Sequence, residues 1–467
     1  MAPLRFAKPG LSRFFAAGLA LVGVVISSTA RAETLLVKNG LFITMNPAEP
    51  TPFVGYMTVG DDGKIATIAA GAPPAGTSAE RVIDAGGKFV APGFVSSHSH
   101  LGSAPFRGLG HTETLYSWSR ATQRLNRYST AEDVYWYSLF GAYEFLRNGI
   151  TTVYDFTNAG STGQGPVGIN DPVPAMGLRP GPFEQNQLRA KFDAGIRFVN
   201  GIGLAPVGSR AEIVGRVEAV IAYARESFPD NPLLLRMALN GGVQRASSKA
   251  TAELEVYLMK TYGLLNQAHF LESPERIPEQ QAKFAWYVDA GALGPDFIFG
   301  HFIHTTPEMV RIAAQAGAAM SWQPMSNGRL ASGVADIVAY RAMGLRVGVG
   351  LDSNACTDTC DPFSNVRTGL ALIRTTYKDA KALSIYEMLR LHTMGSAEVM
   401  GVADKVGSLE RGKFADFLIV DPRDPDTGPV HEAIATYVLA CGLRNLKQVY
   451  VGGKLVADGT TLVGRDE

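Results

Sequence analysis

The sequence predicts an α/β fold: a (β/α)8 barrel of the TIM type, with a small β-sandwich module built from both ends of the mature chain. Three observations lead there. Between Ala91 and Asp404, eight short apolar segments alternate with amphipathic stretches of helical period. Residues 33–90 and 405–467 are strand-rich and poor in helical pattern. Imidazoles and a carboxylate sit at the carboxyl ends of several of the eight segments, the face where such barrels carry their chemistry. The 467 residues are 46% hydrophobic and 18% charged, which excludes a disordered chain. Lys+Arg 43 against Asp+Glu 43 leaves no basic field for nucleic acid. Three cysteines exclude a disulfide scaffold and a thiolate zinc module.

In chain order, residues 1–32 read as a signal peptide. Arg5, Lys8 and Arg13 precede an apolar run from Phe14 to Ile26, and Ala30-Arg31-Ala32 is a small-x-small cleavage site. The run is too short for a bilayer span. Cleavage after Ala32 leaves 39 basic against 43 acidic residues, and an exported, periplasmic protein without a stable membrane anchor is expected. Residues 33–90 give strands at Thr34–Val37 and Leu41–Met45 around a Lys38-Asn39-Gly40 turn. A hairpin follows, with Asp61-Asp62-Gly63-Lys64 at its tip. The barrel, 91–404, takes strands from Phe94–Ser96, Ile150–Tyr154, Arg197–Ile202, Leu233–Leu239, Ala268–Phe270, Phe297–Gly300, Ala318–Trp322 and Arg346–Gly350. Residues 405–467 return to strands at Phe417–Val420 and Gln448–Val451.

His98 and His100 follow the first barrel strand two residues apart, so both rings can reach one ion. His269 ends the fifth strand with Glu272 three residues on, His301 ends the sixth, and Asp352 ends the eighth. Imidazole and carboxylate without thiolate suit zinc or another borderline divalent ion. His111, His392 and His431 do not track strand ends, and His392 is expected to pack or face solvent.

The stretches Ile83–Lys88 and Ala91–His100 resemble the strand-one motif of the amidohydrolase superfamily. Further resemblance lies in Phe106-Arg107-Gly108-Leu109, Trp118, His269-x-x-Glu272, Gly300–His304, Pro324-Met325-Ser326-Asn327 and Gly407–Asp416. Together these are similar to the mononuclear-metal branch holding triazine hydrolases and S-adenosylhomocysteine, methylthioadenosine and guanine deaminases. The resemblance implies one divalent ion per chain, zinc first and ferrous iron second, bound by His98, His100, His269 and Asp352. It implies Glu272 and His301 as catalytic groups beside the ion, with Asp352 serving both roles. Glu272 would carry the proton of an ion-activated water and His301 would stabilise added charge. No lysine lies in or just after the fourth strand, which speaks against the binuclear branch and its metallopeptidases. A binding protein on a dead scaffold would show broken ligands, and all four are present.

Trp118, Arg127, His304, Trp322 and Asn327 are the expected substrate-binding residues. Nucleoside-processing relatives place a glutamate near the position of Arg127, so a guanidinium there predicts an anionic or electron-rich substrate group. The function expected is hydrolysis of a non-peptide C–N bond in a small heterocyclic or amide substrate. The alternatives are displacement of chloride or alkylamine from a triazine-like ring, or opening of an acyclic amide or carbamate. The sequence is compatible with a homodimer. It leaves a disulfide between Cys356 and Cys360 open.

Overall fold

The computed structural model describes residues 33–464, apart from 158, 163–176, 460 and the side chain of 124. The expected signal peptide lies outside them. β1 (Glu33–Phe42), β2 (Phe53–Gly60), β3 (Ile65–Ala70), β4 (Arg81–Asp84) and β5 (Phe89–Pro92) come from the N-terminal side. Eight strands then form the barrel: β6 (Phe94–Ser99), β7 (Ile150–Phe156), β8 (Arg197–Gly203), β9 (Leu234–Gly241), β10 (Leu265–Phe270), β11 (Phe297–His301), β12 (Ala319–Trp322) and β13 (Arg346–Val349). β14 (Phe417–Val420), β15 (Leu446–Val451), β16 (Lys454–Asp458) and β17 (Thr461–Leu462) complete the chain.

The first five and last four strands make one nine-stranded sheet, because β5 pairs antiparallel with β14. That sheet folds over its own core, where Leu35, Val37 and Met57 meet Phe417, Ile419 and Tyr450. The expected turn at Lys38–Gly40 is instead a register shift inside the continuous β1. Asn39 takes a left-handed φ of 56°, so the chain bulges without reversing. Gly40 faces Val90 so closely that a Cβ would sit 2.6 Å from its Cγ2.

The barrel strands run parallel in sequence order, as the alternation predicts. Closure between β13 and β6 is made by Asp352 N donating to His98 O at 2.9 Å, so a backbone bond at the site seals the ring. The helices that matter for the site are α1 (Leu115–Asn126), α2 (Ala131–Arg147), α3 (Pro182–Ala194), α4 (Arg210–Ser227) and α5 (Ala250–Tyr262). Thr130 and Ser209 start α2 and α4 with capping boxes. The Gly407–Asp416 motif proves to be a clasp between the two units. Asp416 accepts from Arg197 on β8 at 2.7 and 3.1 Å, and Arg197 lies 3.6 Å over the Phe414 ring. All three cysteines are free and buried. Among the described residues no helix is long and apolar enough to cross a membrane.

Candidate active site

The strand ends place His98, His100, His269, Glu272, His301 and Asp352 together, and all but the fully buried His98 line one cavity of about 680 Å³. The backbone is bent to do so. His301 and Asp352 have φ of 69° and 70°, left-handed values uncommon for residues with a Cβ, and such strain persists where the surroundings enforce it.

Hydrogen bonds decide which ring nitrogens face inward. His98 Nδ1 donates to Gln267 Oε1, whose amide is oriented by Nε2 donating to Ser97 O at 2.8 Å. His100 Nδ1 donates to Phe156 O at 2.7 Å. Both rings therefore point Nε2 lone pairs into the site. His98 Nε2 is buried with no hydrogen-bond partner. His100 Nε2 lies 3.2 Å from His269 Nε2 and 3.4 Å from Asp352 Oδ1, and His98 Nε2 lies 3.6 Å from the same oxygen. Lone pairs and a carboxylate converge here, an arrangement that suits a cation. Three overlapping groups of possible ligands meet here: His98 with His269 and His301, His98 with His100 and Asp352, and Glu272 with His301 and Asp352. The donor set fits a divalent ion such as zinc.

Electrostatics agree. Burial, reinforced by neighbouring imidazoles, pulls His100 down to about 4 and His269 well below the ordinary histidine value, so both are neutral and able to bind a cation. Burial pulls His301 down to about 3. Burial works against the Asp352 charge, yet the carboxyl lies well below its ordinary value, and two donors favour its ionised form. Ser326 Oγ donates to its Oδ2 at 2.5 Å and Ser353 N to its Oδ1 at 2.9 Å. Glu272 is the opposite case, raised well above the ordinary value by burial and then by the Asp352 charge. Two carboxyl groups in one cavity are thereby assigned different protonation states. His301 Nδ1 accepts from Asn327 Nδ2 at 2.9 Å, so its proton sits on Nε2, 3.4 Å from Glu272 Oε2.

Of the five expected substrate-binding residues, Trp118 lines the cavity, its indole N–H donating to Ala355 O at 3.1 Å. The other four do not. Arg127 caps the end of α1, half-buried and outside the cavity lining. Trp322 alternates with inward-facing Ser321, points away from the barrel axis and packs over Gly369. Asn327 is buried behind His301, and His304 bonds Ser332 O at 2.7 Å. His392 packs in the core between Val95 O and Asn365. Residues that sequence reading missed include Gln267, Ser326, Asp155, Arg179 and Arg245. Gln267 was findable, since it stands two residues before His269 and shares its face of the strand.

Gly350 packs against His98: a Cβ there would lie 2.7 Å from His98 Cβ and O and 2.8 Å from its N. These atoms cannot swing aside. Gly350→Ala is expected to cost about 1–3 kcal/mol and to weaken zinc binding, read by thermal unfolding with and without zinc. Unchanged melting and zinc affinity would contradict this packing.

Fold and site together define a barrel hydrolase that works with a divalent metal ion. Residues 89–456 match the model of the amidohydrolase family, and the chain belongs to that family. It is 28% identical over 440 residues to a 5-methylthioadenosine/S-adenosylhomocysteine deaminase of Desulforudis audaxviator, covering 93% of this chain and 95% of that one. Its fold is similar to a zinc-bound adenosine deaminase of Xanthomonas campestris, with TM-score 0.80, 22% identity and coverage of 93% and 95%. It is also similar to a zinc-bound atrazine chlorohydrolase of Arthrobacter aurescens, with TM-score 0.78, 20% identity and coverage of 93% and 97%.

Proposed function

We propose that this amidohydrolase is an exported, zinc-dependent enzyme that hydrolyses a C–N bond of a nitrogen heterocycle bearing an anionic group, deamination being the first reading. The observation that carries it is the placement of Glu272 Oε2 3.4 Å from His301 Nε2, both buried beside the His/Asp cluster. When bound, a divalent ion supplies the Lewis acidity that makes water a nucleophile near neutral pH. His98, His100, His269 and Asp352 would hold that ion. Glu272 holds a transferable proton and delivers it to the ring or leaving nitrogen. His301 Nε2–H, held by Asn327, faces the charge that grows on the attacked group. The D. audaxviator relative, a deaminase by name, supports this direction.

The anionic group is inferred from the cavity wall. α1 presents Ser119, Thr122, Gln123 and Asn126, all uncharged, so no carboxylate on this face is available for sugar hydroxyls. The cations lining the cavity are Arg179 and Arg245. Arg179 is 9% exposed, donates to Asn126 O, and has no carboxylate partner among the described residues. A buried guanidinium with no carboxylate partner among the described residues suits a carboxylate or similar anion. The role assigned to Arg127 from sequence therefore passes to these two. Arg179→Gln is expected to lower kcat/KM more than about tenfold for an anionic substrate, while sparing its neutral analogue. Equal loss on both would remove the anion contact.

Ammonia release from zinc-loaded protein, measured across aminated purines, pterins and triazines with and without a carboxylate, tests the reaction. Chloride or alkylamine release without ammonia would move the reading to ring displacement. Ring-independent turnover of amides or carbamates would move it to acyclic hydrolysis. Export is tested by N-terminal sequencing of the chain from a Gram-negative host. A start at Glu33 supports it, and a cytoplasmic start at Met1 contradicts it.

A further inference from the structure

Asp155 near the end of β7 and Lys191 on α3 form a fully buried ion pair that the chemistry above does not use, with Nζ donating to Asp155 Oδ2 at 2.6 Å. The same ammonium donates to Asn200 Oδ1 at 2.6 Å and to Gln187 Oε1, so all three of its hydrogens are committed. The other carboxylate oxygen, Asp155 Oδ1, accepts from Leu101 N at 3.1 Å. Leu101 directly follows His100. The next residue of β7 supplies Phe156 O, which accepts from the His100 ring at 2.7 Å. Two consecutive residues of one strand thus hold His100 from its ring and from its backbone.

The chain of bonds continues away from the site. Gln187 Nε2 donates to Glu184 Oε2 at 3.2 Å, and Glu184 Oε1 accepts from Gly160 N at 2.8 Å. Beside Glu184, Gln187 and Lys191, the buried residues of α3 are apolar: Leu188, Ala190, Phe192 and Ala194. An apolar residue at 191 would fill the same space without desolvating a charge. What the ammonium adds is direction, because a carboxylate pinned on one oxygen presents the other at a fixed angle to Leu101 N.

We infer that Lys191 and Asp155 are a positioning pair that sets His100 for metal binding. This rests on reading His98, His100, His269 and Asp352 as the metal site. The pair acts through the backbone of the loop that carries His100, since Asp155 Oδ1 accepts from Leu101 N. Supports of this kind behind a metal ligand are typically worth about 10–100-fold in affinity or activity.

The test uses the whole mature protein, stripped of metal and titrated with Zn2+ against a chelator, and separately loaded with Co2+ for its visible spectrum. Lys191→Met is expected to weaken zinc binding by about tenfold or more and to alter the Co2+ bands. At zinc saturation, kcat should fall with KM nearly unchanged. Wild-type zinc affinity and Co2+ spectrum, with only a lower melting temperature, would make the pair purely structural and overturn the inference. Lys191→Met strands a buried carboxylate, so the double variant Asp155→Asn/Lys191→Met, without buried charge, guards against misfolding. It keeps an oxygen for Leu101 N but not the ammonium that pins it, and at least about a fivefold loss of zinc affinity is expected. Wild-type affinity there overturns the inference as well. Wild-type protein that takes up no zinc overturns the metal reading and the pair's role with it, whereas normal wild-type uptake with unaltered variants overturns the pair's role alone.

Discussion

Asp352→Asn is expected to purify with little bound metal, its zinc affinity weakened by at least about a hundredfold. That matches or exceeds what losing a support behind a ligand costs, and here a ligand itself changes. Asp352 supplies the negative charge of the set, and its Oδ1 lies 3.4 and 3.6 Å from the His100 and His98 nitrogens. Asparagine keeps the shape and the backbone bond that closes the barrel but presents a neutral oxygen or an N–H. His269→Ala is expected to behave alike, since its Nε2 stands 3.2 Å from that of His100. Full metal content in either folded variant, measured by elemental analysis, would remove that residue from the set.

Glu272→Gln should separate catalysis from metal binding. The amide fills the same buried space but carries no transferable proton. The expected result is normal metal content with turnover lower by about two to four orders of magnitude, the usual worth of a positioned acid–base group. The cause is visible in the cavity. Burial and the neighbouring Asp352 charge keep Glu272 protonated, and the His301 Nε2–H stands 3.4 Å away. Near-normal rates with intact metal would exclude Glu272 from proton transfer.

The barrel and the grouping of the candidate ligands were legible because strand–helix alternation and the position of a residue at a strand end are both local facts of sequence. All eight barrel strands lie on the expected segments, and the candidate ligands fall at or just after their ends. The substrate wall was harder, and the helix and strand periods explain why. On α1, residues that share a face with Trp118 recur at 122 and 126, and these line the cavity. Arg127 is one position further, about 100° around the helix, and so points away from the cavity. Trp322 fails by the period of two: Ser321 reaches Ser97 inside the barrel at 2.6 Å, so its neighbour must face the helices. Arg179 could not be read from spacing, since a tertiary contact to the end of α1 brings it to the cavity. The Lys191–Asp155 pair joins residues 36 apart on different elements, and only the fold makes it visible.

The most direct test of the account is the zinc content of the mature protein after loading and removal of loosely bound ion. One equivalent per chain is predicted, falling close to zero in His269→Ala. Two equivalents would point to a binuclear centre that this ligand set does not provide, and none would contradict the metal site on which the function rests.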